Sequence, residues 1–207
     1  ELAPFADKYL AIDKYKPKLS DNIHMENDIA FIQTEVPPLK EIESESVDFI
    51  VTFQVIEHIN NDKFFLSEIN RVLKPNGKLI MTTPNILMSL TRSPWHIREY
   101  TPKQMSDVVH GFFKNVELKG VFGNKKVMDY YQKNKESVAR ITRWDIFNMQ
   151  YWLPRWILQI PYDILNRFNR HNLQDQNVDL VKSIKYTDYS IQSSRDNCLD
   201  HFVIATK

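Results

Sequence analysis

Between Val47 and Asn85 the chain reads VDFIVTFQVIEHINNDKFFLSEINRVLKPNGKLIMTTPN, which spells strand, polar turn, helix, tight turn and strand in under forty residues. Few folds accommodate that order. The apolar, β-branched run Val47 to Phe53 predicts a strand buried on both faces, as a parallel sheet flanked by helices requires. The carboxyl end of such a strand, here Phe53-Gln54-Val55-Ile56-Glu57-His58, is where an open α/β sheet places a ligand. Asp62 to Leu73 sets Phe64, Phe65, Ile69, Val72 and Leu73 on one helical stripe. Lys74-Pro75-Asn76-Gly77 should stop that helix, with Gly77 at positive φ, and Lys78 to Thr83 is the next strand.

Around this unit the same reasoning gives short strands at Tyr9 to Asp13 and Ile29 to Gln33, with a loop or frayed helix from Asp21 to Asp28. Thr34 to Leu39 must be extended, since each proline biases its predecessor away from helix. Thr101-Pro102 opens a helix that ends near Gly111, and Asn115 to Phe122 and Leu199 to Thr206 are strands. Asn124 to Ser194 intervenes as a long insertion whose centre, Arg140 to Pro161, holds Trp144, Trp152 and Trp156. Trp144, Phe147 or Asn148, and Tyr151 fall at helical spacing, and Pro154 and Pro161 should divide the stretch into short helices.

Composition removes several function classes. A net charge of +1 over 207 residues creates no field for a nucleic-acid partner. Cys198 is the single cysteine, which excludes an intramolecular disulfide and a cysteine-based zinc site and suits a reducing compartment. No run of apolar residues is long enough to span a membrane, and no leader pattern is visible, so a cytoplasmic protein is expected.

Taken in order, the phrases FQVIEHI, RVLKPNGKL and TTPN resemble the class I S-adenosylmethionine-dependent methyltransferases of the type 11 or type 12 kind. The resemblance runs from about Lys8 to about Gly120 and resumes at the last strand, more than half of the chain. It implies an α/β, Rossmann-like doubly wound sheet, mostly parallel with an antiparallel last strand, in the order 3-2-1-4-5-7-6. Residues 1–123 would be the core, 124–194 a helical insertion between the last two strands, and 195–207 the final strand. The family's glycine-rich cofactor loop has no counterpart, because Gly77, Gly111, Gly120 and Gly123 are the four glycines and none forms one. Glu1 to Asp7 looks like the end of the family's first helix, so the core is expected to lack its central first strand and to hold a slot there. Preceding residues or another segment would have to fill it.

The resemblance implies S-adenosyl-L-methionine as cofactor and methyl transfer as activity. Asp13, at a strand end, can accept hydrogen bonds from both ribose hydroxyls. Glu35 and Val36 match the family position that meets the adenine edge, and Phe53 and Gln54 would line the cofactor beside its sulfur, Phe53 equally serving as core. Displacement at a sulfonium needs mainly alignment, but a hydroxyl acceptor also needs a base. His58, with Glu57 beside it, is well placed at the strand mouth, and His96 follows the next strand onto the same rim; both also fit a purely structural role. Some relatives that methylate RNA ends hold a divalent metal on a similar set, but Gln54 stands where their first acid does, so no metal is expected.

A small-molecule or sugar acceptor, methylated on a hydroxyl, is therefore the leading expectation. The alternative is a non-catalytic binding module that kept the fold. The insertion reads as a lid, as extra core, or, with Arg140, Arg143, Arg155, Arg167 and Arg170 beside its aromatics, as a face for a membrane or a lipid-linked substrate.

Overall fold

Backbone pairing sorts the strands into two sheets. The computed structural model describes residues 6–15, 28–143 and 149–207. In the first sheet β1 (Lys8–Asp13) and β2 (Asp28–Gln33) run parallel, with Asp13 opposite Gln33. The second contains β3 (Val47–Phe53), β4 (Leu73–Pro84), β5 (Asn115–Gly123), β6 (Tyr189–Ser193) and β7 (Asp200–Thr206), in the order β3-β4-β7-β5-β6. β3 and β4 are parallel, and β7 lies antiparallel between β4 and β5. Among the described residues no strand joins β1 to β3, and the break falls at the slot anticipated from the sequence.

That break corrects the expectation of a strand buried on both faces. Phe49 is 62% and Phe53 52% exposed, and Val51 is exposed as well. Among the described residues β3 has a paired neighbour on one edge only, and its apolar side chains lack the cover that a central strand receives. β4 shows the contrast: Leu79, Met81 and Thr83 alternate into the core with no measurable exposure.

Helix α1 (Asp62–Val72) starts where Asn61 accepts the backbone N–H of Phe64 at 3.0 Å. It buries Phe65, Leu66, Ile69 and Val72 against the sheet, each burial contributing about 2 kcal/mol. The left-handed residue after it is Asn76, at φ 66°, not Gly77 as expected. Gly77 is required by crowding instead, because a Cβ there would lie 2.8 Å from the carbonyl oxygen of Lys74. Helix α2 (Pro102–His110) opens on a reciprocal cap between Thr101 and Gln104, and Met105 and Val109 extend the core. Ile12, Ile32 and Val36 pack on that same core, so the two sheets share one hydrophobic interior.

The insertion is helical for most of its length, with α3 (Lys125–Thr142), α4 (Met149–Trp152), α5 (Arg155–Gln176) and α6 (Val178–Ser183), but it ends in β6, a strand that had read as part of the helical segment. Pairing with β5 supplies β6 with backbone partners that its wholly exposed side chains do not advertise. Pro154 separates α4 from α5 as expected, whereas Pro161 sits inside α5, forgoing one bond to the carbonyl of Ile157. Trp144, Phe147 and Asn148, and the loop or helix expected over most of 21–28, lie outside the described residues. None of the helices searched among the described residues is long and apolar enough to cross a membrane.

Candidate functional site

Three anticipated side chains meet at the carboxyl end of β3. A single 3-10 turn over Ile56–His58 follows the strand and aims Glu57 inward and His58 outward. Glu57 is 1% exposed, and its Oε2 accepts the hydroxyl of Thr83, at the end of β4, at 2.9 Å. Its backbone carbonyl accepts the N–H groups of Ile97 at 2.6 Å and Arg98 at 3.3 Å, which ties the loop after β4 to the turn after β3. That loop carries His96. The rings of His58 and His96 stand edge to face with centroids 4.9 Å apart.

Each imidazole is fixed through one nitrogen. His58 Nδ1 lies 2.9 Å from the carbonyl oxygen of Trp95, a group that can only accept, so Nδ1 carries the proton in the neutral ring and Nε2 holds a lone pair. His96 Nδ1 lies 2.5 Å from Glu99 Oε1, with the same consequence. The Glu99 carboxyl is pushed up by burial but pulled further down by its bonds from His96 and Ser89, and it stays below the usual carboxylate range. Glu57 Oε1 faces His58 Nε2 at 3.9 Å, beyond hydrogen-bond reach. One ligand-capable atom from each of Glu57, His58 and His96 falls within 4.8 Å of the others.

The loop is itself anchored. Asp62 Oδ2 accepts Arg98 Nη1 and the hydroxyl of Tyr100, both at 2.7 Å. Burial, with that bond to Asp62, drives the Tyr100 phenol far above its ordinary range and keeps it a donor. Buried Asn85 donates to the carbonyls of Asp196 and Cys198, each at 2.8 Å. The insertion grips the same loop, as Arg155 Nη2 donates to the carbonyl of Ile97 at 2.5 Å and Trp95 Nε1 donates to Asp163 at 3.0 Å.

Gln54 also reaches this rim. Its backbone is left-handed, with φ 56°, while its N–H still continues the ladder to the Thr82 carbonyl at 2.9 Å. A non-glycine residue in that conformation costs about 1 kcal/mol or more, a strain that concentrates at sites where a strand end must aim a side chain. Asp200, at the start of β7, went unremarked in the sequence. Burial raises its carboxyl, a bond from the Gln54 side chain opposes that rise, and the charge of Glu57 adds to it. Only the register of β7 beside β4 places Asp200 there, opposite Pro84. Thr83, Glu99 and the Trp95 carbonyl were equally silent, since nothing in their local sequence marks them as supports.

Asp13, Glu35 and Val36 gather at the other sheet. Asp13 accepts the N–H of Tyr15 at 2.8 Å, its carbonyl accepts Thr34 N–H at 3.1 Å, and Glu35 pairs with Lys14 at 2.5 Å. The Lys14 ammonium beside it lowers the Glu35 carboxyl. Val36 is half-buried against the core. The expected residues thus fall into two groups, one at the ends of β1 and β2 and one at the ends of β3 and β4.

Residues 2–81 match the family model described as "Methyltransferase domain". A probable S-adenosylmethionine-dependent methyltransferase of Mycolicibacterium smegmatis is 39% identical over 83 residues, 37% of this chain and 32% of that protein. One from Mycobacterium tuberculosis is 34% identical over 106 residues, 47% of this chain and 39% of that protein. The chain therefore spans about a third to two-fifths of the curated relatives it matches. Among solved structures, a SAM-dependent methyltransferase of Thermotoga maritima, described as a possible histamine N-methyltransferase, aligns with TM-score 0.52 at 11% identity over 100% of this chain and 75% of its own. The YcgJ protein of Bacillus subtilis aligns with TM-score 0.50 at 14% identity, over 100% of this chain and 85% of its own. The architecture is that Rossmann-like α/β fold, and over residues 2–81 the chain is similar to a methyltransferase domain.

Proposed function

We propose that the chain transfers a methyl group from S-adenosyl-L-methionine to a hydroxyl of a small-molecule or sugar acceptor. The observation that carries this reading is the methyltransferase-domain match over 2–81, which ends within β4 and takes in the ends of β1, β2 and β3. In it Asp13 holds the ribose, Glu35 and Val36 face the adenine edge, and Phe53 and Gln54 border the sulfonium. Glu35 would exchange its exposed bond with Lys14 for the adenine amine. His58 Nε2, half-exposed, takes the proton of the acceptor hydroxyl, and Glu57 and His96 set its position. The hydroxyl oxygen forms its bond to the methyl carbon as the carbon–sulfur bond breaks and the electron pair stays on sulfur.

The insertion acts as a lid over the acceptor, supported by the bond that Arg155 donates to the loop bearing His96 and the bond that Trp95 of that loop donates to Asp163. A second reading of the acceptor, as a group carried on a lipid, is favoured by one feature: Trp152, Trp156, Ile160 and Ile164 recur every fourth residue and are all exposed. The single buried cysteine suits a reducing, cytoplasmic setting.

Titration calorimetry of the full-length protein with S-adenosylhomocysteine tests the cofactor. Binding is expected, and Asp13→Ala should weaken it by about tenfold or more, through loss of the charge-assisted bonds to the ribose hydroxyls. Heat indistinguishable from dilution would overturn the reading.

A further inference from the structure

We infer that the exposed face of α4 and α5 is a docking surface for an anionic lipid bilayer, on which the two helices lie in the plane of the headgroups.

The first observation is an apolar stripe without cover. Trp156, Ile160 and Ile164 follow one another at four-residue steps along α5 and so share one face of the helix. They are 72%, 70% and 64% exposed. Tyr151 and Trp152 of α4, just before Pro154, are exposed as well. Single exposed apolar side chains are ordinary, but a row of large ones marks a surface that another body covers. α5 is not apolar enough to cross a bilayer, so this face meets one by lying in its interface.

The second observation is charge. Residues 140–170 hold five arginines against Asp145 and Asp163, with neither lysine nor glutamate, a net +3. The whole chain is +1, so the remainder is −2. Exposed Arg167 follows Ile160 by seven residues and Ile164 by three, which puts it on the stripe itself. There its aliphatic stem can lie along the apolar row while the guanidinium reaches lipid phosphate. An anionic surface complements this segment. A second copy of the chain does not, because pairing the face with itself sets two net-positive segments against each other. Tryptophan beside arginine also suits the headgroup layer, which takes the apolar ring on one side and the N–H and guanidinium on the wet side.

The third observation is where the face sits. Trp95 Nε1 donates to Asp163 at 3.0 Å, Arg155 Nη2 to the Ile97 carbonyl at 2.5 Å, and Arg92 Nη1 to the Tyr151 carbonyl at 3.0 Å. These bonds tie α4 and α5 to the loop after β4, on which Leu87 and Trp95 are themselves about half exposed. A bilayer docked on the stripe therefore lies beside the loop that carries His96. This assigns the acceptor to a hydroxyl carried on a lipid, a consequence that rests on the methyl-transfer reading; docking itself does not.

The test is co-flotation of the full-length protein with vesicles of phosphatidylcholine alone and of phosphatidylcholine mixed with phosphatidylglycerol. Flotation with the anionic vesicles is expected, and added salt should weaken it. Ile160→Glu combined with Ile164→Glu should lower it by more than about tenfold, and Arg167→Glu by about tenfold. All three positions are exposed, so circular dichroism and urea midpoints should match the parent. No flotation with either vesicle, equal flotation with both, or flotation indifferent to the substitutions would overturn the surface. So would a concentration-dependent dimer that the double variant dissolves, which would give the face to a second copy. Calorimetry with S-adenosylhomocysteine in the absence of vesicles separates the two readings. Nucleoside binding without flotation sinks this inference alone, and flotation without nucleoside binding sinks methyl transfer alone.

Discussion

Asp13 and Glu35 close a two-stranded sheet, and their partners are an adjacent N–H and an exposed lysine. Glu57, His58 and His96 sit instead on a five-stranded sheet and a loop tied down by Thr83, Asp62, Tyr100 and Asn85, most of them fully buried. The difference is one of completeness. The group at the ends of β3 and β4 is cross-braced within this chain, whereas among the described residues β1 and β3 each have one edge without a pairing strand. Pre-organisation of this kind is what positions a base or a ligand set to within fractions of an ångström.

The contrast is most exposed to test in the sheet itself. Met81→Ala in β4 should cost the chain about 3 kcal/mol in urea unfolding, by loss of buried contacts and the cavity left behind. Phe49→Ala on the bare face of β3 should cost less than about 1 kcal/mol. Equal costs would mean that β3 is covered as well as β4, and the comparison would fail.

Next in size is chemistry. His58→Ala should lower kcat about 100-fold, some 2.7 kcal/mol in transition-state free energy, while affinity for S-adenosylhomocysteine holds. A parallel fall in nucleoside affinity would join the two halves that the geometry separates.

The smallest expected effect is a pH dependence. His201 is wholly buried between the Tyr100 carbonyl, 2.8 Å from Nε2, and Cys198 Sγ, 3.9 Å from Nδ1. Burial lowers its pKa, against the bond to Tyr100, which raises it. The unfolded chain therefore takes up a proton near pH 6.5 that the fold refuses. Its contribution is fully present above that pH, falls as the pH drops through it, and levels off below the depressed folded value. Urea midpoints measured from about pH 8 to about pH 5 should decline, with a shallower slope in His201→Gln. An identical slope in the variant would place the titration elsewhere.

Much of this was legible in the residues. The 3.6-residue stripe of α1, the cap at Thr101 and the alternation of β5 gave elements within a residue or two of their observed bounds. Glu57, His58 and His96 could be nominated because strand ends supply ligands in such sheets, and their adjacency then followed from two loops leaving parallel neighbours. β6 could not be read, since a strand with no buried face carries no hydrophobic period. Gln54 and Asp200 were also beyond reach as a pair, because 146 positions of sequence and an antiparallel register stand between them.

Local order, then, was fixed by the chain alone: which segments extend, which coil, and which polar residues stand at their ends, because propensity and periodicity act over a few neighbours. The tertiary structure decided what those ends face. The tautomers of His58 and His96, the burial of Glu57 and the exposure of Phe49 all depend on groups distant in sequence, and burial and hydrogen-bond direction exist only once those groups have been brought together.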